Sequence, residues 1–223
     1  KILRLSPEHA EMALGAGVAA AISGTFSAPL AGIVFAHEVV LRHYSLRFFA
    51  PVSIASATAY VISGEMFPSQ VDLLASLSTK AASAIDIGML IVLGLFAGLL
   101  AVAMMRLLNW TRRRVEKNNL PVWLRPILAA LGIGVLAHLS PSILGAGLDV
   151  MDVMLQGKLA ALDLAFLVGL KILASCLCLA LFFHGGVLAP SLFVGAGLGG
   201  CVAAMLTALA PFTGYQPDAG LFA

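Results

Sequence analysis

Long apolar runs separated by short polar stretches dominate this chain. Two runs, at 85–105 and 164–183, reach the roughly 20 residues that a helix needs to cross a bilayer. Those at 12–22, 29–41, 48–62 and 126–139 are shorter. Such segments do not each span a bilayer upright, so they predict tilted and interrupted helices whose ends meet inside the protein. With no alternating pattern long enough for a barrel, the predicted fold is an all-α polytopic membrane protein with tilted and broken transmembrane helices.

The composition agrees with a membrane protein and excludes an ordinary soluble domain. Of 223 residues, 61% are hydrophobic and 11% charged, and the mean hydropathy is +1.02, whereas soluble domains carry about 25% charged residues. A formal net charge of +2, without a basic stripe, argues against a nucleic-acid partner. The cysteines lie in apolar runs without metal-ligand spacing, which indicates small buried hydrophobic residues: Cys176, Cys178 and Cys201.

Basic residues are concentrated in two connections, and their positions predict the orientation. One connection is a loop at about 106–125, and the other contains Arg42 and Arg47. The segment at about 63–84, which joins the two apolar runs between them, has Lys80 as its only basic residue. By the positive-inside rule, the loop at about 106–125 faces the cytoplasm and the loop at about 63–84 faces outside. The arginines at 112–114 are interpreted as a solvated charge cluster.

A helix N-terminus is predicted where residues 185–190 read GGVLAP, ahead of the apolar run at 191–209. Glycine lets the backbone approach a ligand, and a proline in the first helical turn costs no intrahelical hydrogen bond. The first amides of a helix lack intrahelical partners and lie at the positive end of its dipole, so they favour an anion. Within a membrane, this arrangement holds a halide without a full positive charge. The alternative is a helix break that only allows tight packing.

Two more segments have a distinctive pattern. Residues 24–38 read GTFSAPLAGIVFAHE, residues 141–147 read PSILGAG, and Lys171 stands fourteen positions before Gly185. Together with residues 185–190, and in the same order along nearly the whole chain, these segments resemble the CLC family of chloride channels and proton-coupled chloride transporters. The Ala-Pro-Leu-Ala-Gly block with its downstream glutamate is highly specific for that family.

The resemblance implies chloride transport by an integral membrane protein of the plasma (inner) membrane. It also implies a homodimer with one pore per subunit, and no cofactor besides the transported chloride. In that family, backbone amides of the 185–190 block bind the anion, and the matching positions here are Gly186, Val187, Leu188 and Ala189. Leu188 departs from the family pattern, which usually has phenylalanine. A site built from backbone amides survives that change, whereas pore shape and anion preference stay open.

The resemblance further implies that residues 1–223 are a fragment of a single CLC-type transmembrane domain. The family's gating glutamate and central-site serine belong to blocks that match upstream of Lys1, and its pore tyrosine to a block that matches downstream of Ala223. We therefore expect a Gly-Lys/Arg-Glu-Gly-Pro run upstream of Lys1 in the complete protein.

Glu38 is a carboxylate within an apolar run, where a charge is costly and indicates function, so it is a candidate proton-carrying or pore-lining residue. The alternative is a glutamate at a helix end that reaches the cytoplasmic surface near Arg42. Proton-coupled relatives end this helix with two glutamates, and the second relays protons from inside. Val39 replaces that internal relay here and carries no proton. The resemblance therefore implies channel-like or weakly coupled transport, and the alternative is a chloride/proton antiporter with another proton path.

Two other patterns favour structural interpretations, so neither an enzyme nor a metal site is predicted. The segment HEVVL at 37–41 begins like a zinc-protease motif, but Leu41 replaces the second histidine. Glycines 195, 197 and 200 have dinucleotide-binding spacing, but no strand precedes them, which favours helix packing. An intramembrane enzyme using His37 and Glu38 and a non-transporting membrane scaffold are the alternatives from other classes.

The sequence alone does not decide the roles of two charged residues and one histidine. Lys171 and Asp163 either pair, line an aqueous path, or anchor their helix near an interface, and a structural role is preferred. His184 is interpreted as a loop histidine next to Gly185.

Overall fold

The computed structural model describes residues 6–67, 84–118, 120–181 and 186–213. Every regular element in those ranges is helical, which confirms the all-α class. Four of the described helices are long and apolar enough to cross a membrane: Leu46–Met66, Asp86–Lys117, Ala161–Leu181 and Leu188–Ala208. The chain divides into two compact units, residues 1–76 and residues 77–223.

The first unit contains α1 (Pro7–Phe26), α2 (Pro29–Phe35), a π-helical segment (Ala36–Leu41) and α3 (Leu46–Met66). Ser6 caps α1, because its Oγ accepts a hydrogen bond from the backbone N–H of His9 at 3.4 Å. Ser27, in the left-handed conformation at φ 52°, ends α1, and Pro29 then starts α2. The apolar run at 29–41 is thus a short helix continued by a π-helical segment.

Small and hydroxylic residues hold the helices of the first unit together. Helix α1 packs along α3, and α2 packs against both. The Ser23 Oγ donates to the Ser56 carbonyl at 2.7 Å, and the Ser56 Oγ donates to the Pro29 carbonyl at 2.8 Å. Such hydrogen bonds, with small residues at the contacts, are how helices associate where no hydrophobic effect drives them together. The buried apolar core consists of Ala19, Ala36, Leu41, Phe48 and Val52.

The second unit contains α4 (Ala84–Lys117), α5 (Leu124–Leu139), a 3-10 turn (Pro141–Ile143), α6 (Leu148–Leu155), α7 (Ala161–Leu181) and α8 (Leu188–Thr213). Helix α7 is the central element, because it packs against α4, α5 and α8. Its buried positions repeat around most of the helix, as expected for a helix enclosed by neighbours. The 3-10 turn lies against α5 and α7.

The predicted boundaries around α3 differ from the structure. The run at 48–62 lies within the 21-residue helix α3, which is long enough to span a bilayer, because polar residues at both ends continue the helix. Pro51 is tolerated near the start of α3. Residues 68–83 of the predicted outside loop lie outside the described residues, while α3 continues to Met66.

The basic segment predicted as a loop at about 106–125 is mostly helical. Helix α4 continues to Lys117 and α5 begins at Leu124, so residues 118–123 connect the two helices. Arginine, lysine and glutamate form helices readily, and cations at a helix C-terminus are favoured by its dipole. The 34 residues of α4 span about 51 Å at 1.5 Å per residue, well beyond a hydrocarbon core of about 30 Å. The basic end of α4 can therefore lie outside the apolar layer.

Candidate anion site and the Glu38 segment

The predicted helix start after Gly186 is confirmed. Helix α8 begins at Leu188, and Pro190 lies in its first turn. The Ser191 N–H bonds to the Val187 carbonyl at 3.0 Å, which is the first bond of the helical ladder. The amides of Leu188 and Ala189 precede that bond, and Pro190 has no N–H, so the donors without a partner among the described residues lie just after Gly186.

Residues 186 and 187, just ahead of α8, are accessible in the described part of their unit. Gly186 and Val187 are exposed, and Leu188 and Ala189 are half-buried. A Cβ atom built on Gly186 would meet no heavy atom within 4 Å in the described part of the unit. A ligand can therefore approach these amides closely, as the glycine at this position predicts. The neighbours His184 and Gly185 lie outside the described residues.

A buried aromatic residue fixes the start of α8 to the 141–147 segment. Phe193, in the second turn of α8, is fully buried. A Cβ atom on Gly147 would lie 2.6 Å from Phe193 Cδ2, and Gly147 has φ +78°, so a side chain here would displace the ring and strain the backbone. The loop backbone thus lies directly on Phe193.

Lys171 lies beside this contact rather than at a helix end. Its side chain is 3% exposed, and its Nζ donates to the carbonyls of Ile143 and Gly145, each at 2.8 Å. The Nζ also lies 4.8 Å from the centre of the Phe193 ring, within cation–π range. Asp163 is exposed in the first turn of α7 and forms no ion pair with Lys171. Of the alternatives left open by the sequence, pairing with Asp163 is therefore wrong for Lys171, and the ammonium is instead buried against neutral groups of its own unit.

Glu38 and Val39 lie in the π-helical segment at the end of the Ala-Pro-Leu-Ala-Gly helix. Glu38 is exposed and Val39 is 50% exposed within the first unit. The segment ends at Arg42, which adopts φ 59°. Two basic side chains that follow the segment lie against α1, since Arg47 lies 3.0 Å from Glu8 and His43 lies 3.4 Å from Glu11. Single π-helical turns occur frequently at functional sites.

His37 is a buried feature that the sequence interpretation did not anticipate. It is 1% exposed, its Nδ1 lies 2.9 Å from the Ile33 carbonyl, and its ring stacks on Tyr44 with centroids 5.6 Å apart. The Nδ1–H therefore donates to that carbonyl, and the imidazole is used as a packed aromatic group. Among the described residues, no group of three or more His, Cys, Asp or Glu side chains could hold a metal ion. The spacing of four residues to Ile33 is the only signal in the sequence that could have suggested this contact.

Comparison with known proteins identifies the family. The family described as voltage gated chloride channel matches residues 1–223. The chain belongs to this family. It is 33% identical over 202 residues to chloride channel protein CLC-f of Arabidopsis thaliana, covering 82% of this chain and 25% of that protein.

Other relatives within the family include both channels and exchangers. The H(+)/Cl(-) exchange transporter ClcA of Klebsiella pneumoniae is 27% identical, covering 98% of this chain and 47% of that protein. The voltage-gated ClC-type chloride channel ClcB of Escherichia coli is 27% identical, covering 83% of this chain and 44% of that protein. The chain thus spans between a quarter and about half the length of these relatives. The family and the apolar helices identify an integral membrane protein.

Proposed function

We propose that this chain forms part of a protein that transports chloride across a membrane and binds it at the N-terminus of α8. The observation that carries the proposal is the group of amides at Leu188 and Ala189, which precede the first intrahelical bond behind the exposed Gly186. The helix dipole and these donors stabilise an anion without a formal charge. Partial charges also bind weakly enough to let an ion leave, as conduction requires.

The names of the relatives support chloride transport but do not distinguish a channel from an exchanger. Channels and an exchange transporter both occur among them. We favour channel-like or weakly coupled transport, because Val39 occupies the position of the internal proton relay. Exchange of chloride for protons is the second candidate, since the similarity to the exchange transporter covers nearly the whole chain.

Assembly and location belong to the same proposal. The family resemblance supports a homodimer with one pore per subunit, in the plasma (inner) membrane, and without a cofactor. Cross-linking of the full-length protein in native membranes would yield a dimer, and a monomer alone would contradict it.

The test of the anion site is the substitution Gly186→Val in the full-length protein. A valine side chain covers the approach to the α8 amides, and a loss of only 1.4 kcal/mol of binding free energy corresponds to about a tenfold effect. We expect chloride efflux from liposomes to fall about tenfold or more. The protein should remain folded, because a Cβ atom at this position meets no heavy atom within 4 Å in the described part of the unit.

The matched control is Gly195→Val in the same helix. A Cβ atom there also meets nothing within 4 Å in the described part of the chain, but the position lies two turns beyond the first amides. We expect the Gly195→Val protein to keep most of its chloride efflux. Unchanged efflux in Gly186→Val would overturn the assignment of the site.

A further inference from the structure

The buried ammonium of Lys171 needs an explanation, because a charge within a membrane-spanning helix is costly. Lys171 lies near the middle of α7, and an aliphatic residue would fill the same space without that cost. A lysine ammonium has three donors and no acceptor. Two of the donors go to the carbonyls of Ile143 and Gly145, and the ammonium faces the ring of Phe193. Within the part of the chain that the structure describes, its partners are neutral.

The two carbonyl groups belong to the 141–147 segment, which precedes α6 and contacts Phe193 of α8 through Gly147. Ile143 is buried and packs against Leu170 and Ala174 of α7, so one end of the segment is fixed to the same helix as Lys171. Gly145 and Gly147 have φ values of +64° and +78°, which turn the backbone so that its carbonyls can point toward the ammonium. We call residues 141–147 the carbonyl loop.

The other side of the carbonyl loop touches α8. Gly147 lies so close to Phe193 that a methyl group would not fit between them. Phe193 follows the first turn of α8 by only a few residues, so the position of its ring fixes the position and orientation of that turn. Lys171 therefore connects α7, the carbonyl loop and the start of α8 through one ammonium group.

We propose that Lys171 is a positioning residue that sets the anion selectivity of the α8 N-terminus by holding the carbonyl loop against Phe193. The inference rests on the proposed function and adds the residue that aligns its binding amides. Selection among anions by dipoles depends on the number and placement of the donors. A binding site that is loosely supported and moves by about 1 Å loses its preference for one anion over another. Lys171 prevents that movement.

The experiment measures chloride and nitrate flux in liposomes containing full-length protein, with Lys171→Met as the first variant. Methionine keeps the volume and removes the donors, so the chloride-to-nitrate flux ratio should change about tenfold. Lys171→Arg keeps donors for the same carbonyls and should restore the ratio at least in part. Lys158→Met replaces an exposed lysine of the same unit and should leave the ratio unchanged.

Gly147→Ala disturbs the same contact from the loop side while Lys171 stays in place. The added methyl group displaces Phe193, so this variant should shift the flux ratio in the same direction as Lys171→Met. Because both changes act through one contact, their combined effect should be smaller than the sum of the single effects. If Lys171→Met does not fold, Lys171→Arg and Gly147→Ala still decide the question through their flux ratios.

The possible failures are distinguishable. A flux ratio that stays at the wild-type value in folded Lys171→Met or in Gly147→Ala, or effects that simply add, would refute the positioning role. In that case, loss of flux in Gly186→Val would still support the chloride site. Wild-type protein that transports no chloride would instead refute the proposed function itself.

Discussion

At the scale of single residues, the prediction about the mode of transport rests on Glu38 and Val39. Both are accessible in the first unit, so burial does not explain why one is charged and the other apolar. A carboxylate can accept and release a proton, whereas an aliphatic side chain has no site for one. Glu38 cannot simply replace Val39, because neighbouring residues of a helix point in different directions. The π-helical geometry of residues 36–41 changes the angle between them without making them coincide.

We expect that chloride transport by the full-length protein is not tightly coupled to protons. A chloride gradient across liposomes should drive chloride flux with little uphill proton movement, as measured with a pH electrode outside weakly buffered vesicles. Glu38→Gln should leave the chloride flux largely unchanged, because Glu38 is not required as a relay. Proton pumping at a fixed ratio to chloride, lost in Glu38→Gln, would place the protein among the exchangers.

At the scale of elements, α2 depends on a glycine that faces α1. A Cβ atom on Gly32 would lie 2.6 Å from the Ala19 carbonyl oxygen and 3.2 Å from the Ser56 Oγ. Backbone cannot move away as a flexible side chain can, so the helices would have to separate. The separation would also lengthen the bond from Ser56 to the Pro29 carbonyl. Close approach of this kind is what small residues provide between membrane helices.

The substitution Gly32→Ala should destabilise the protein by about 1–3 kcal/mol, as overpacking of a close contact does. Thermal unfolding in detergent, followed by loss of monodisperse protein, measures the effect. Gly17→Ala is the control, because a Cβ atom at this exposed site in α1 meets nothing within 4 Å in the described part of the chain. Alanine also favours the helix there by up to about 1 kcal/mol. Equal stability of the two variants would contradict the packing argument.

At the scale of the whole molecule, the distribution of basic residues predicts the orientation in the membrane. Helix α4 carries Asp86 at its start and Arg114 and Lys117 in its last turn. Arg114 also packs over Trp110 at 4.9 Å from the ring centre, and tryptophan is typical of the membrane interface. The basic residues therefore predict that the C-terminal end of α4 lies on the cytoplasmic side, and Trp110 predicts that this end lies at an interface.

Cysteine labelling in intact cells tests this orientation. In a full-length background from which all other cysteines, including Cys176, Cys178 and Cys201, are removed, Arg113→Cys should react only after the membrane is made permeable. Glu65→Cys, close to the opposite loop, should react with an impermeant reagent from outside. Both positions are exposed, so lack of access does not arise from burial in their units. The reverse labelling pattern would show that the positive-inside assignment is wrong.

The sequence by itself determined the helical class, the membrane location, the family and the start of α8. Apolar runs predict helices because lipid requires every backbone group to bond within its own segment. Glycine and proline predict the start of α8 because their effects on the backbone are local. Boundaries such as the end of α4 were less accurate, because helix-forming charged residues continue a helix past the apolar run.

Only the tertiary structure decided what the buried polar residues contact. Lys171 lies 26 residues after Gly145 in the chain, and no local pattern shows that its ammonium meets that carbonyl. The packing of His37 on Tyr44 likewise depends on how the chain turns after the π-helical segment. A hydrogen bond between distant residues forms only when helix packing brings donor and acceptor together, so periodicity and spacing do not specify it.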